Sequence, residues 1–164
     1  GFSCPLTIFV GHWKSKAGSD VQSNIWRSAQ EDVLSSRIMQ LDNNLFIFCG
    51  DCNKDISEFY CDGEQVLLGK TEIPFLHKKA SYMSVYSPWL CSSNQSLDGS
   101  YYYQKKWEKI DHFFLGSDLE AQLFMTENKG SHVNDLQIPV RYTVWNGEGY
   151  SDHLPLTCVI KEKK

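Results

Sequence analysis

Six polar residues stand where apolar runs end or turn. His12 follows the run 6–10, Asp51 and Asn53 follow 45–48, Asp111 lies in 110–115, and Asp152 with His153 precedes 154–160. Two histidines, three carboxylates and one amide are the groups that phosphoester hydrolysis with a divalent metal needs. A hard cation takes oxygen ligands and keeps some of its waters. A carboxylate orients or deprotonates the attacking water, and histidines held by carboxylates offset charge growing on phosphoryl oxygens. Taken singly, each residue reads equally as a satisfied polar group at a strand end. Asp111 sits among large apolar residues and therefore requires a cationic or hydrogen-bonding partner.

The elements that would position these groups follow from hydrophobic periodicity. Residues 45–48 form an unbroken apolar run, the pattern of a strand buried on both faces, and 6–10 reads the same way. Between them Ile25, Ala29, Val33 or Leu34, Ile38 and Leu41 recur at helical spacing over 21–41, after turn residues Gly18, Ser19 and Asp20 that offer capping oxygens. Strand, helix, strand is a βαβ unit with parallel pairing, so His12 and Asp51/Asn53 should open on one edge of the sheet. Asp51 and Asn53, two apart at a strand end, should face one cleft.

Further along, strands are expected over 81–86, 101–107, 110–115, 137–144 and 154–160. Residues 87–99 read as loop and 119–126 as an ambiguous short segment. Tyr101, Tyr102 and Tyr103 are followed by Lys105, Lys106 and Trp107, an aromatic and basic composition that can stack bases and hold phosphates. The same residues equally suit an antiparallel strand with exposed lysines. His112, next to Asp111, should face away from it and serve structure.

A length of 164 residues with 41% apolar and 22% charged residues describes one ordinary globular domain, without a low-complexity tract or a run near membrane-spanning length. The net charge of −4 argues against a long phosphate-neutralising stripe, so any nucleic acid would be held locally. Of the six cysteines, Cys49 and Cys52 have the spacing of half a zinc ribbon or of a redox pair. No second close pair follows, and structural or free thiols are expected.

Several short motifs, in this order, resemble those of the endonuclease/exonuclease/phosphatase superfamily, the DNase I-like fold. His12-Trp13-Lys14-Ser15-Lys16 is similar to its histidine loop, and Arg27-Ser28-Ala29-Gln30 to the arginine-bearing helix. Gly50-Asp51-Cys52-Asn53 resembles its Gly-Asp-x-Asn motif, Trp107 to His112 its Ile-Asp strand, and Ser151-Asp152-His153-Leu154-Pro155 its terminal Ser-Asp-His motif. The resemblance implies an α/β fold, part of a four-layer sandwich with mixed sheets, and a phosphoester hydrolase using Mg²⁺ or Mn²⁺. It further implies that Asp51 activates the water and that Asn53 holds the phosphate or a metal-bound water. His153 would face the scissile phosphate with Asp111 fixing its ring, His12 would donate to another phosphate oxygen, and Asp152 would lie near the metal.

The resemblance covers only the carboxyl-terminal portion of that family's domain. The family's metal-binding glutamate belongs to a strand with no counterpart before His12, and Glu31, Glu58 and Glu64 are not placed to replace it. The chain is thus expected to be an incomplete hydrolase that pairs with an amino-terminal half or another copy and leaves apolar surface uncovered. Alternatives are a non-catalytic binding half-domain of the same fold and, less compatible with the pattern, a zinc or redox module on Cys49 and Cys52. Nucleic acid, inositol phosphates and phospholipid head groups all remain open as substrates.

Overall fold

The computed structural model describes residues 1–70 and 82–164. Thr7–His12 form β1 and Phe46–Asp51 form β2, paired in parallel with Ile8 opposite Ile47 and His12 opposite Asp51. The parallel pair needs a crossover, supplied by α1, Asp20–Ile38. This helix contains neither glycine nor proline, and it places Asp20 in the first turn and Arg37 in the last, as the helix dipole favours. Ser19 stands at the N-cap without a side-chain capping bond. The helix stops short of residue 41 because Gln40 and Leu41 tighten to bonds with the carbonyls of Arg37 and Ile38.

The buried face of α1 is also rotated from the one that apolar spacing predicts. It runs through Ser23, Arg27, Glu31, Leu34, Ser35 and Ile38, while Val33 is exposed. Polar partners make this rotation possible. Arg27 donates to the Lys14 carbonyl at 3.1 Å and to Asn24. Buried Glu31 accepts from Lys54 Nζ at 2.6 Å and from the Gly69 amide at 2.9 Å.

The remaining strands are β3 (Cys61–Asp62), β4 (Gln65–Leu68), β5 (Met83–Tyr86), β6 (Tyr101–Tyr103), β7 (Lys106–Glu108), β8 (Asp111–Leu115), β9 (Leu119–Thr126) and β10 (Leu156–Glu162). A mixed sheet of six runs β1-β2-β8-β5-β4-β3, all antiparallel after the first pair. Leu34 and Ile38 of α1 join Phe46, Phe48 and Phe114 in one core, where the Phe48 and Phe114 rings stack at 5.6 Å. A second cluster gathers Leu45, Ile47, Leu115 and Leu119 with Ala121 and Ile160 of the β9–β10 pair. Burying each phenylalanine contributes about 1.5–3 kcal/mol, so these layers hold the strand ends in place.

Gly50 lets β1 and β2 meet at their ends. Its φ is +150°, and a Cβ there would lie 1.9 Å from the Gly11 carbonyl oxygen. A side chain at this position would push β1 from β2 and separate His12 from Asp51.

Several expectations need correction. β1 is not buried: it is the sheet's edge strand, and Ile8 and Val10 are 59% and 80% exposed because nothing in the described residues covers that face. Residues 137–144 are not a strand but a chain of turns with two isolated bridges, Val133 to Pro139 and Thr143 to Glu148. Asn134 Oδ1 takes the amides of Leu136 and Ile138, so local side-chain bonds replace a ladder there. The segment 119–126 is a full strand, β9, because β10 pairs along its length. The strand expected over 81–86 begins at Met83 among the described residues, and Ser81 lies outside them. The aromatic segment 101–107 is a hairpin rather than one strand, turning at Gln104 and Lys105, both with positive φ. Among the described residues no helix is long and apolar enough to cross a membrane.

Candidate functional site

The carboxyl end of β2 sets the floor of the site. Asp51 Oδ1 accepts the Asn53 amide at 2.7 Å and Oδ2 accepts Asn53 Nδ2 at 2.9 Å, so amide and carboxylate do face one cleft. Asn53 adopts a left-handed backbone, φ 46°, which asparagine tolerates better than most residues, and its side chain also donates to the Trp13 carbonyl at 3.2 Å. Between them Cys52 is fully buried, and its amide donates to the Ile110 carbonyl at 2.9 Å. The strand end is thus pinned on one side and open on the other. From β1, exposed His12 brings Nε2 to 3.5 Å from Asp51 Oδ2.

From β8, which lies beside β2, Asp111 stands opposite Asp51 in register. Its Oδ2 accepts from His153 Nδ1 at 2.7 Å and from Ser100 Oγ at 2.6 Å. These are the partners that the acid among apolar neighbours requires. Two backbone contacts deliver His153: the Leu154 amide donates to the Ser100 carbonyl at 2.7 Å, and His153 bridges Tyr101. Trp89 Nε1 donates to the Asp111 carbonyl at 2.8 Å and fixes the strand from behind.

Ligand atoms of Asp51, Asp111 and His153 all lie within 4.8 Å of one another. The charges in this cluster act on each other. Burial lifts the Asp51 carboxyl above its ordinary value and the Asp111 charge lifts it further, against the Asn53 amide and the two histidines. Burial works to lower His153, but the hydrogen bond and charge of Asp111, with Asp51 and Asp152, carry it above its usual value. Both shifts run toward the protonated form, of the imidazole and of the carboxyl beside it. The site can donate at one point and accept at another.

Asp152 does not join the three-residue cluster. It is half exposed, 3.8 Å from Arg141 Nε, and reaches His153 through its charge. His112, on the opposite face of β8 from Asp111, is buried, with Nε2 donating to the Lys54 carbonyl at 2.8 Å. Glu31 is held by Lys54, Glu58 bonds Lys16 and the Asp55 amide, and neither belongs to the cluster. All six cysteines are free, and Cys49 and Cys52 take part in no metal-ligating group among the described residues.

Two contributors were not placed at the site by the sequence, and only one of them, Ser100, carries no signal there. Ser100 is an ordinary residue at the end of a loop, yet it is fully buried against Asp111. Tyr101 lies with its ring 4.7 Å from that of His153. The aromatic run marks Tyr101 as notable, but only the β6–β7 hairpin brings it to the histidine. No family model matches the chain, and no curated protein matches it.

Proposed function

We propose that the chain carries the chemical groups of a divalent-metal-dependent phosphoester hydrolase. The observation that carries this reading is the meeting of Asp51, held by Asn53 and flanked by His12, with the Asp111–His153 pair inside one 4.8 Å cluster. The mixed sheet, with α1 on one face and the β9–β10 pair on the other, supports part of a DNase I-like four-layer sandwich.

The donor set suits a hard cation in part. Asp51 and Asp111 offer oxygens, Asp152 stands nearby, and a small number of protein ligands leaves coordination places for water and phosphate, as Mg²⁺ or Mn²⁺ requires. When bound there, the ion would neutralise phosphoryl oxygens and lower the pKa of a bound water. Asp51 takes the proton of the attacking water while Asn53 fixes the direction of the carboxylate. His153, charged and oriented by Asp111, donates to the phosphoryl oxygens as negative charge grows, and His12 supplies a second donor.

The test is hydrolysis of bis(4-nitrophenyl) phosphate with Mn²⁺ or with EDTA. Metal-dependent turnover that is lost in both Asp51→Asn and His153→Ala supports the reading. Turnover that persists in EDTA, or in both variants, overturns it.

The uncovered apolar residues of the edge strand, Ile8 and Val10, favour a second reading. In it the chain is a binding half-domain that pairs through β1 with an amino-terminal half of the same fold or another copy. That reading predicts no metal-dependent turnover of any phosphoester even with the partner present.

A further inference from the structure

The β6–β7 hairpin carries an aromatic ladder that starts at the candidate catalytic histidine. The Tyr101 ring lies 4.7 Å from His153, and Tyr103, two residues on and therefore on the same face, stacks on Tyr101 at 6.0 Å and 12°. Tyr103 is 52% exposed, so its ring is open to a ligand. Directly across the hairpin from Tyr103 stands exposed Lys106, and Lys105 occupies the turn. Glu108, across from Tyr101, is offset by Lys16 at 3.2 Å. Asp152 and Arg141 act on Tyr101 with opposite signs. Tyr102 and Trp107 pack against each other at 5.1 Å and stiffen the hairpin from its other face.

We propose that this ladder of Tyr101, Tyr103 and Lys106 binds a single-stranded nucleic acid beside His153, a base stacking on Tyr103 and a flanking phosphate meeting Lys106. The inference rests on the phosphoester reading and names its substrate class. Each base presents a flat π-face to a tyrosine ring, and neighbouring lysines meet the backbone, the combination used by proteins that hold single strands. Bases inside a duplex are already stacked on each other, and the chain's net charge of −4 gives no broad field for a duplex. A quaternary ammonium head group would want rings walled around it. Here the rings lie nearly parallel, and Lys106 would repel the cation. An inositol ring has no flat π-face to stack.

The experiment is fluorescence anisotropy of a labelled oligothymidylate of about eight nucleotides. EDTA is present throughout, so that binding is read without hydrolysis. Tyr103→Ala should weaken binding about 10-fold, and Tyr103→Phe should restore it, because the phenyl face is kept. Lys106→Ala should weaken binding and flatten its salt dependence. Equal affinity in wild type and Tyr103→Ala, tighter binding of the matching duplex, or displacement of the oligonucleotide by phosphocholine each overturns the proposal. Tyr103-dependent binding without turnover of any phosphoester keeps the nucleic-acid site and removes the hydrolase. Metal-dependent turnover with affinity indifferent to Tyr103 does the reverse.

Discussion

A single oxygen, Asp111 Oδ2, accepts from both His153 Nδ1 at 2.7 Å and Ser100 Oγ at 2.6 Å. Because Ser100 is buried and its carbonyl also takes the Leu154 amide, the carboxylate cannot turn away from the ring without breaking the serine's bond. The imidazole is therefore fixed by its Nδ1, and Nε2 is the nitrogen left for a ligand.

This pair fixes the pH dependence. His153 titrates above its usual 6.5 and Asp51 above its usual 3.8. On the proposed mechanism Asp51 must be ionised and His153 protonated, so kcat/KM should be bell-shaped, rising above pH 3.8 and falling only above pH 6.5. The same shift makes protonated His153 a source of stability below its unfolded pKa, about 6.5, which fades as pH rises through its native value. Asp111→Asn should move the alkaline limb to lower pH, and NMR titration of His153 reads this directly. A native His153 that titrates at or below its unfolded value would sink the assignment.

Asp51→Asn tests the proposed base with little disturbance of the strand, since an amide keeps the shape and its oxygen can still accept one of the two Asn53 hydrogen bonds. Turnover should fall by about 10²–10⁴-fold. The melting temperature should hold or rise, because burial and the nearby Asp111 charge penalise the ionised Asp51. A variant that melts well below wild type would give the residue a structural role instead.

Acid should weaken the fold through a residue outside the site. Burial pushes His112 down to about 4, against 6.5 for the free imidazole, even though it donates to the Lys54 carbonyl. Between those values the unfolded chain binds the extra proton. The contribution is therefore complete above pH 6.5 and is lost as pH falls through about 4, in all about 3 kcal/mol. Urea unfolding at pH 7 and near pH 4.5 should show the loss in wild type, and a His112→Gln variant should show less of it. Equal losses in the two proteins would count against this origin.

The Glu31–Lys54 pair, 2.6 Å apart beneath α1, should behave as a buried charge pair. Glu31→Gln keeps an acceptor for the Gly69 amide but leaves Lys54 without its counter-charge, and should cost about 3–5 kcal/mol. Adding Lys54→Met should recover much of that loss. Denaturant unfolding of the single and double variants decides it, and a double variant no more stable than the single would show that the charge is not what matters.

The βαβ unit, its parallel pairing and the meeting of His12 with Asp51 at one sheet edge were legible in the sequence, because apolar runs and helical spacing report the type and order of elements, although they misjudged which faces are buried. So was the need of Asp111 for a partner. What could not be read came from pairings distant in the chain. Glu31 and Lys54 neutralise each other across the helix–sheet interface, which allows α1 to bury a polar stripe where periodicity favours Ile25, Ala29 and Val33. Ser100 matters only because the hairpin after it returns to β8. Residues 137–144 alternate like a strand, but Tyr142 and Val144 remain exposed, with no strand to pair with among the described residues.

Asp111 and His112 are adjacent on β8 and face opposite ways, one to the cleft and one to the interior. A slip of this strand by one residue would exchange them, driving a carboxylate in among Phe59 and Phe114 and placing an imidazole where the histidine's anchor should be. Such a misaligned sheet would bury a carboxyl without its hydrogen-bond partners, so the slipped register lies well above the native one in free energy. The residue that orients the candidate catalytic histidine thereby also acts as a proofreading mark for the register of its own sheet.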